Sequence, residues 1–287
     1  MNDTVTVATE AMATRFEIAL HGAPEATLRA AAEEALAEVS RLESMLSLYE
    51  PTSEISHINS RGAHEPVPVS PEVFSLLQRC VELNKQTKGA FDITIAPLMK
   101  CWKFIGETGS TPTENEIEQA WALVGADHLK LNTSDGSVRL NLEGVVLDLG
   151  SIGKGYALEQ ASKLLLENKF THFIIHGGTS TVYAAGTQVD GSPWRIAVEH
   201  TNKQQPPLHI IDLENESLSV SGIGGKSFLD EKGLEQGHVL DPRTGRPTQL
   251  AKITAVICDS ATESDAWATA LLVEPGLKTP DGLRVLT

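Results

Sequence analysis

The sequence predicts a mixed α+β fold with largely antiparallel sheets and packed helices, and three observations favour it. Apolar residues recur every three or four positions from Leu28 to Leu46, which is the spacing of one face of an α-helix. Apolar and polar residues alternate between Trp194 and Asp212, for example in WRIAVE and LHIIDL, which is the spacing of a half-buried strand. Helical and strand-like segments occur in separate runs, as is typical of α+β proteins.

The predicted helices have recognisable start and stop signals. The first begins at Pro24. The others begin at an N-cap serine or threonine, or after a glycine-rich turn. They are predicted from Ser70 and Pro71 to Gly89, from Thr113 with Glu116 to Gly125, over residues 156–168, and from Ser260 with Glu263 through Val273.

Short apolar runs predict further strands, at residues 15–20, 145–149, 173–176 and 252–259, the last being the final strand. Residues 49–68 are rich in Pro, Ser, Asn and Gly and are predicted as a loop, and residues 150–155 as a tight turn. No internal repeat is found. A single domain over residues 1–287, or two closely packed lobes, is therefore expected.

The formal net charge is −15, so duplex nucleic acid and an anionic membrane surface are not expected partners. An acidic chain that binds phosphates needs a metal ion, a helix N-terminus or a few well-placed cations. The three cysteines, Cys80, Cys101 and Cys258, are widely spaced, which indicates neither a zinc cluster nor a disulfide framework.

The first twenty residues lack the basic and apolar regions of a signal peptide, and no lipid-attachment cysteine lies near them. No apolar run approaches the length of a membrane span. A cytoplasmic location is therefore expected, with export as the alternative if a leader was removed.

The segment LDLGSIGKGYA, at residues 147–157, combines an acidic residue, three glycines, Lys154 and the start of a helix. Glycines allow backbone N–H groups to approach a ligand, and a helix start favours anions. The segment matches neither a Walker A loop nor a GxGxxG motif. A phosphate-binding turn and an ordinary glycine turn with an exposed lysine both fit the pattern.

Two further segments contain residues suited to chemistry. In HVLDPRTGRPT, at residues 238–248, His238 precedes a strong turn signal and could act as a general base. In SATESDAWATALL, at residues 260–272, Asp265 and Thr269 share one helix face and offer hard oxygen ligands for Mg²⁺. A simple turn and a capped, packed helix are the alternative interpretations.

Two more segments complete the set. GAFDITIAPL, at residues 89–98, contains Asp92 in a short apolar run. SLYEPTSEISHIN, at residues 47–59, places Tyr49 before a proline turn, where an aromatic ring could stack on a base. Taken alone, these segments are typical of a capped helix end and a surface loop.

These five segments, together with MATRF at residues 12–16, resemble the ApbE family of FAD:protein FMN transferases and occur in that family's order. They extend from about Met12 to Val273. The resemblance implies an ApbE-like, T-fold-related α+β architecture with FAD in a cleft, which would lie between the lobes if there are two.

The resemblance also implies roles for individual residues. Those implied to line the FAD pocket are Met12, Tyr49, Ala90, Phe91, Asp92, Asp148 and Lys154, with Val239 adjacent. Those implied to surround Mg²⁺ are Asp265 and Thr269, together with Ser151 and Ala268 through their backbone oxygens. His238 matches the family's proposed catalytic histidine.

The implied reaction is transfer of FMN from FAD to a threonine or serine hydroxyl of a target protein through a phosphoester bond, with release of AMP. Two departures from the family pattern leave alternatives open. Thr179 and Ile223 stand where acidic or amide residues are usual. An FAD pyrophosphatase that yields FMN and AMP, or a flavin-binding or trafficking protein without transfer activity, would use the same residues.

Overall fold

The computed structural model describes residues 4–200, 204–223 and 225–286. Gly224, in the segment that contains Ile223, lies outside these ranges. The helices are α1 (Glu25–Leu46), α2 (Glu54–Arg61), α3 (Pro71–Gln86), α4 (Ala96–Cys101), α5 (Glu114–Trp121), α6 (Gly153–Glu167) and α7 (Ala261–Val273).

The strands are β1 (Val5–Ala11), β2 (Thr14–Leu20), β3 (Val67–Pro68), β4 (Leu129–Asn132), β5 (Ser137–Leu140), β6 (Phe173–Gly177), β7 (Thr181–Ala185), β8 (Trp194–Val198), β9 (His209–Leu213), β10 (Glu216–Gly222), β11 (Ser227–Leu229), β12 (Glu235–Gly237), β13 (Leu240–Asp241), β14 (Arg246–Pro247), β15 (Ile253–Cys258) and β16 (Arg284–Leu286).

An antiparallel seven-stranded sheet, in the order β1-β2-β6-β7-β10-β15-β16, forms the centre of the fold. Helices α1, α6 and α7 pack together on it and share the main hydrophobic core with β2 and β6. The β8–β9 hairpin forms a second apolar cluster with β7, β10 and β15. A third cluster joins α4 and α5 to Leu240 of β13. The predicted α+β class is confirmed.

Most predicted helix starts are confirmed. Helix α1 follows Pro24 and buries its apolar stripe. Ser70 caps α3, and Ser260 caps α7 by accepting the N–H of Glu263 at 3.2 Å. The capping box of Thr113 is present in α5, although that helix ends at Trp121, before Gly125.

Two predictions of local structure are wrong in part, namely the loop at residues 49–68 and the strand at residues 145–149. The predicted loop at 49–68 contains α2, which Ser53 caps by accepting the N–H of Ser56 at 2.9 Å. The predicted strand at 145–149 has no strand partner within the described ranges. The side-chain amide of Asn59 on α2 takes that place: it accepts the N–H of Leu147 at 2.7 Å and donates to its carbonyl at 3.0 Å.

The sheet also extends further than predicted, because β1 pairs with β2 at one edge and β16 with β15 at the other. The strand at residues 252–259 is therefore not the final one. In the ranges that the structure covers, no helix is both long and apolar enough to cross a membrane. The division into one domain or two packed lobes stays a prediction.

Candidate functional site

A cleft of about 780 Å³ contains most of the predicted site residues. Its lining includes Ala90, Phe91, Asp92, Asp148, Ser151, Lys154, His238, Val239, Asp265 and Thr269. The apolar part of the lining comes from all three clusters, and the main core provides Ala90, Phe91 and Val239. Two further walls come from the smaller clusters. One, at the β8–β9 hairpin, provides Ile174, Val182, Ile196, Val198, Leu218, Val220 and Ile253. The other, at α4 and α5, provides Ile95, Met99 and Leu240.

The start of α6 lies directly against α7, and this contact positions Asp265. The N–H of Gly155 donates to Oδ2 of Asp265 at 2.9 Å, and the Thr181 hydroxyl lies 3.5 Å from Oδ1. A side chain at Gly155 would overlap the carbonyl oxygen of Ala261 and approach Cβ of Asp265 to 2.6 Å. Glycine is therefore the residue that permits this approach.

Asp265 is a buried carboxylate, with 5% of its surface exposed. Burial raises the pKa of Asp265, and the positive charge of Lys154 acts in the opposite direction. One N–H donor and a distant hydroxyl are little compensation for a buried negative charge. The site would therefore gain from a bound cation.

Lys154 also acts on Asp148, at the end of the segment held by Asn59. Burial raises the pKa of Asp148, while its hydrogen bond from Gly150 and the charge of Lys154 lower it. Oδ1 of Asp148 accepts the N–H of Gly150 at 2.8 Å, and the Lys154 ammonium lies 3.5 Å from the Gly150 carbonyl oxygen. One lysine thus acts on both Asp148 and Asp265.

His238 is one of three histidines that line the cleft, with His176 and His200. Its backbone N–H donates to the carbonyl oxygen of Lys226 at 3.0 Å, and its Nδ1 lies 3.2 Å from the same oxygen. Burial lowers the pKa of His238, and the charges of Lys226 and Lys154 lower it further. The imidazole is therefore neutral at pH 7 and can accept a proton.

Sequence and structure comparisons identify the family of this chain. The ApbE family model matches residues 12–285. The chain belongs to the ApbE family. It is 28% identical over 269 residues to an FAD:protein FMN transferase of Klebsiella pneumoniae (strain 342), which covers 91% of this chain and 76% of that one.

Two solved structures of ApbE proteins have the same fold. The crystal structure of the ApbE protein from Thermotoga maritima has a TM-score of 0.89 and 26% identity, covering 99% of this chain and 94% of that one. The flavin transferase ApbE from Vibrio cholerae has a TM-score of 0.80 and 25% identity, covering 100% of this chain and 97% of that one. The α+β architecture is therefore that of the ApbE family.

Asp92, which the ApbE resemblance places in the FAD pocket, is held by four hydrogen bonds. Its Oδ1 accepts from the backbone N–H and the hydroxyl of Thr94, at 2.8 and 2.6 Å. Its Oδ2 accepts from the side chain of Asn84 and the N–H of Ala126, at 2.9 and 3.0 Å. Both oxygens are thus occupied by the protein, so Asp92 fixes the shape of the cleft wall.

The oxygen donors near Asp265 suit a hard cation such as Mg²⁺. The Thr269 hydroxyl lies 3.4 Å from the Asp265 carbonyl and 3.3 Å from the Ser221 hydroxyl. No group of three or more His, Cys, Asp or Glu side chains suited to a metal occurs in the parts of the chain described. A cation here would therefore be held by one carboxylate together with hydroxyl, carbonyl and water oxygens, a set that Mg²⁺ accepts.

Three of the residues implied by the family do not line the cleft. Tyr49 is 69% exposed, and partial burial and the charge of Asp148 raise its pKa, so its ring is near that carboxylate. Met12 lies in the β1–β2 turn at φ 51°, where its N–H donates to Oε1 of Glu43 at 2.6 Å. Ala268 is fully buried on α7, beside Thr269.

Several residues that line the cleft were not predicted from the sequence. Thr181 and Ser221 bring hydroxyls to Asp265 and Thr269, and Thr179 lies at the β6–β7 turn. Ser221 lies in a segment that departs from the family pattern, and the sequence alone does not connect it to Thr269. The structure places the two hydroxyls side by side. Ile223, in the same segment, packs against Gly237 rather than lining the cleft.

Proposed function

We propose that this protein transfers FMN from FAD to a serine or threonine hydroxyl of a target protein through a phosphoester bond and releases AMP. The observation that carries the proposal is one cleft that combines Lys154, the carboxylates of Asp148 and Asp265, and a neutral His238. The name of the Klebsiella relative, FAD:protein FMN transferase, supports the same reaction.

The cleft suits a dinucleotide with an aromatic ring system at each end. Its apolar lining includes one wall from the β8–β9 cluster and another from the α4–α5 cluster, and each can cover one ring system. Its volume of about 780 Å³ lies within the range of small-molecule sites. The N-terminus of α6 and the Lys154 ammonium offer positive potential to the pyrophosphate.

We propose that Asp265 and Thr269, with the carbonyl oxygens of Ser151 and Ala268, hold Mg²⁺. The undercompensated buried carboxylate of Asp265 and the hydroxyl next to it support this assignment. Bound there, Mg²⁺ would neutralise negative charge on the phosphate oxygens during transfer.

In the proposed reaction, the acceptor hydroxyl oxygen forms a bond to the FMN-side phosphorus of FAD. The bond from that phosphorus to the bridging oxygen breaks, and AMP leaves with the electron pair. His238 accepts the hydroxyl proton, an assistance typically worth about 10²–10⁴-fold in rate. Lys154 binds phosphate and does not act as the base, because its positive charge acts on both Asp148 and Asp265.

The test is incubation of the protein with FAD, Mg²⁺ and a candidate acceptor that carries a serine or threonine target motif, followed by mass spectrometry of the products. We expect FMN mass on the acceptor and one AMP for each FMN transferred. Free FMN with AMP would instead make the protein a pyrophosphatase, and intact FAD a flavin-binding protein. A parallel sample with EDTA tests the need for the cation.

A further inference from the structure

The two ring nitrogens of His238 have different surroundings. Nδ1 lies 3.2 Å from the carbonyl oxygen of Lys226. A carbonyl oxygen only accepts hydrogen bonds, so Nδ1 is the nitrogen that carries the hydrogen. A neutral imidazole has a single N–H, and its lone pair is therefore on Nε2. The bond to Lys226 thus decides which nitrogen is free to accept a proton.

The backbone holds the Lys226 carbonyl in place. Ser227 and Gly237 are paired residues of β11 and β12. The preceding Lys226 and the following His238 extend this ladder, because the backbone N–H of His238 donates to the Lys226 carbonyl oxygen at 3.0 Å. The backbone and the ring of His238 are therefore bonded to one fixed oxygen, and this double bond orients the imidazole.

Gly225 lies against the imidazole, and both residues line the cleft. A Cβ atom at Gly225 would lie 2.5 Å from Cε1 of His238 and 3.1 Å from its Nδ1. Any residue other than glycine would therefore push the ring away from its present position. The absence of a side chain at Gly225 is thus what lets Nδ1 reach the Lys226 carbonyl.

Phe104 also contacts the imidazole. The two ring centroids are 6.5 Å apart and the ring planes meet at 72°, which is an edge-to-face arrangement. Only 2% of Phe104 is exposed, so its ring is fixed by the surrounding core. The imidazole therefore packs against a fixed aromatic ring as well as against Gly225.

We propose that Nε2 of His238 accepts the proton of the acceptor hydroxyl, and that Gly225 and the Lys226 carbonyl are the positioning groups that keep this nitrogen free. The inference rests on the proposed transferase function, because it names the atom of His238 that acts in that reaction. The O–H bond breaks, its proton goes to Nε2, and its electron pair forms the bond to phosphorus. The resulting imidazolium keeps its Nδ1–H bond to Lys226, which is strengthened by the positive charge, and releases the Nε2 proton to water before the next turnover.

The first test measures the tautomer by NMR on the full-length protein with isotope-labelled histidine, at about pH 8, where the imidazole is neutral. Two-bond correlations between the ring nitrogens and the carbon-bound ring protons show which nitrogen lacks a hydrogen. The signals of His238 are those absent from the variant His238→Ala. We expect Nε2 to be the nitrogen without hydrogen. A bare Nδ1, or averaged signals from both tautomers, would overturn the proposal.

The second test is the variant Gly225→Ala, whose new methyl group presses on the movable end of the His238 side chain and not on the backbone. We expect kcat of FMN transfer to fall by about tenfold to a hundredfold, because a small displacement of a reacting group has a cost of this order. FAD affinity and the urea midpoint should stay at the wild-type values. The matched control is Gly276→Ala, whose methyl group presses only on the Glu274 carboxylate, outside the cleft, and should change none of these quantities.

A double variant shows whether Gly225 acts through the histidine. Gly225→Ala combined with His238→Ala should transfer FMN as slowly as His238→Ala alone, because the ring that Gly225 positions is already gone. Additive losses in the double variant, a wild-type kcat in Gly225→Ala, or an equal loss of FAD affinity there would each overturn the proposal. The NMR measurement needs neither FAD nor an acceptor, so a failure of the positioning argument is distinguishable from a failure of the transferase function.

Discussion

Two regions contribute to one site but are held differently. One is the start of α6 with the facing part of α7, and the other is the edge of the cleft that carries His238. At the helix contact, Gly155, Ala261 and Asp265 are buried. The backbone of Gly155 packs against the Ala261 carbonyl and the Asp265 side chain. At the His238 edge, a two-stranded hairpin with exposed leucines and the carbonyl of Lys226 hold the histidine. The proposed metal ligand Asp265 thus lies in the core, whereas the proposed proton acceptor His238 lies on a peripheral element.

This difference predicts which changes affect folding and which affect only chemistry. Substitutions at the helix contact should alter stability or metal binding, because they change buried packing or a buried charge. Substitutions at the His238 edge should alter transfer with little effect on unfolding. The following experiments test that separation, from the largest expected effect to the smallest.

The variant His238→Ala should lower the rate of FMN transfer by about 10²–10⁴-fold, because it removes the proposed proton acceptor. FAD affinity, measured by quenching of flavin fluorescence, and the urea midpoint should remain close to wild type. The control is His57→Ala, an exposed histidine on α2, which should be fully active. Loss of FAD binding in His238→Ala would give the histidine a structural role instead of a catalytic one.

The variant Asp265→Asn should lower Mg²⁺-dependent turnover by about 10²–10³-fold, a loss typical of removing one preorganised electrostatic contact. Its stability should not fall, because burial already disfavours the ionised carboxylate, as the raised pKa of Asp265 indicates. Calorimetric titration of Mg²⁺ in the presence of FAD measures the binding. Asp259→Asn, at an exposed position just before α7, is the control. An unchanged Mg²⁺ affinity in Asp265→Asn would remove the metal assignment.

The variant Gly155→Ala should destabilise the fold by about 3 kcal/mol, since the new methyl group would overlap the Ala261 carbonyl. Gly153→Ala is a matched control in the same helix, because a Cβ there meets nothing within 4 Å. That control should be neutral or stabilised by up to about 1 kcal/mol. Urea unfolding measures both. Similar midpoints for the two variants would mean that α6 and α7 are not in the close contact described.

The variant Asn59→Ala should destabilise the fold by about 1–2 kcal/mol, because both hydrogen bonds to the Leu147 backbone are lost. FAD affinity should fall as well, since Asp148 directly follows Leu147. Ser60→Ala, an exposed residue of the same helix, should change neither quantity. If Asn59→Ala loses stability but binds FAD as the wild type does, the amide supports folding without positioning Asp148.

The sequence was most informative about features whose residues lie close together along the chain. The Asp265 and Thr269 spacing and the caps of α3 and α7 are local signals, and these segments were located correctly. The helix predicted over residues 156–168 is α6, although it begins at Gly153, inside the predicted turn. Alternation likewise located the β8–β9 hairpin. Short-range spacing, capping and periodicity act within one element, so a single sequence contains them.

Features that depend on distant contacts could not be read in the same way. The segment at 145–149 has the apolar content of a strand, but its backbone partner is a side chain 88 residues away, on a helix hidden in a predicted loop. Thr181 and Ser221 are ordinary strand residues until folding brings them to Asp265 and Thr269. Such roles arise from tertiary packing rather than from local propensity.

The pH dependence of FMN transfer is the smallest expected effect, and its measurement tests the His238 edge alone. Because burial and the charges of Lys226 and Lys154 lower the pKa of His238, the neutral, proton-accepting form persists below the usual histidine value of about 6.5. The acid limb of kcat/KM should therefore have its midpoint below that value, with activity lost as the pH falls through it. Lys226→Met should move the midpoint upward by removing a positive charge, whereas Lys232→Met, at the exposed hairpin turn, should not. A midpoint that is the same in all three proteins would mean that another group limits the reaction, and that the edge of the cleft positions the acceptor without supplying the base.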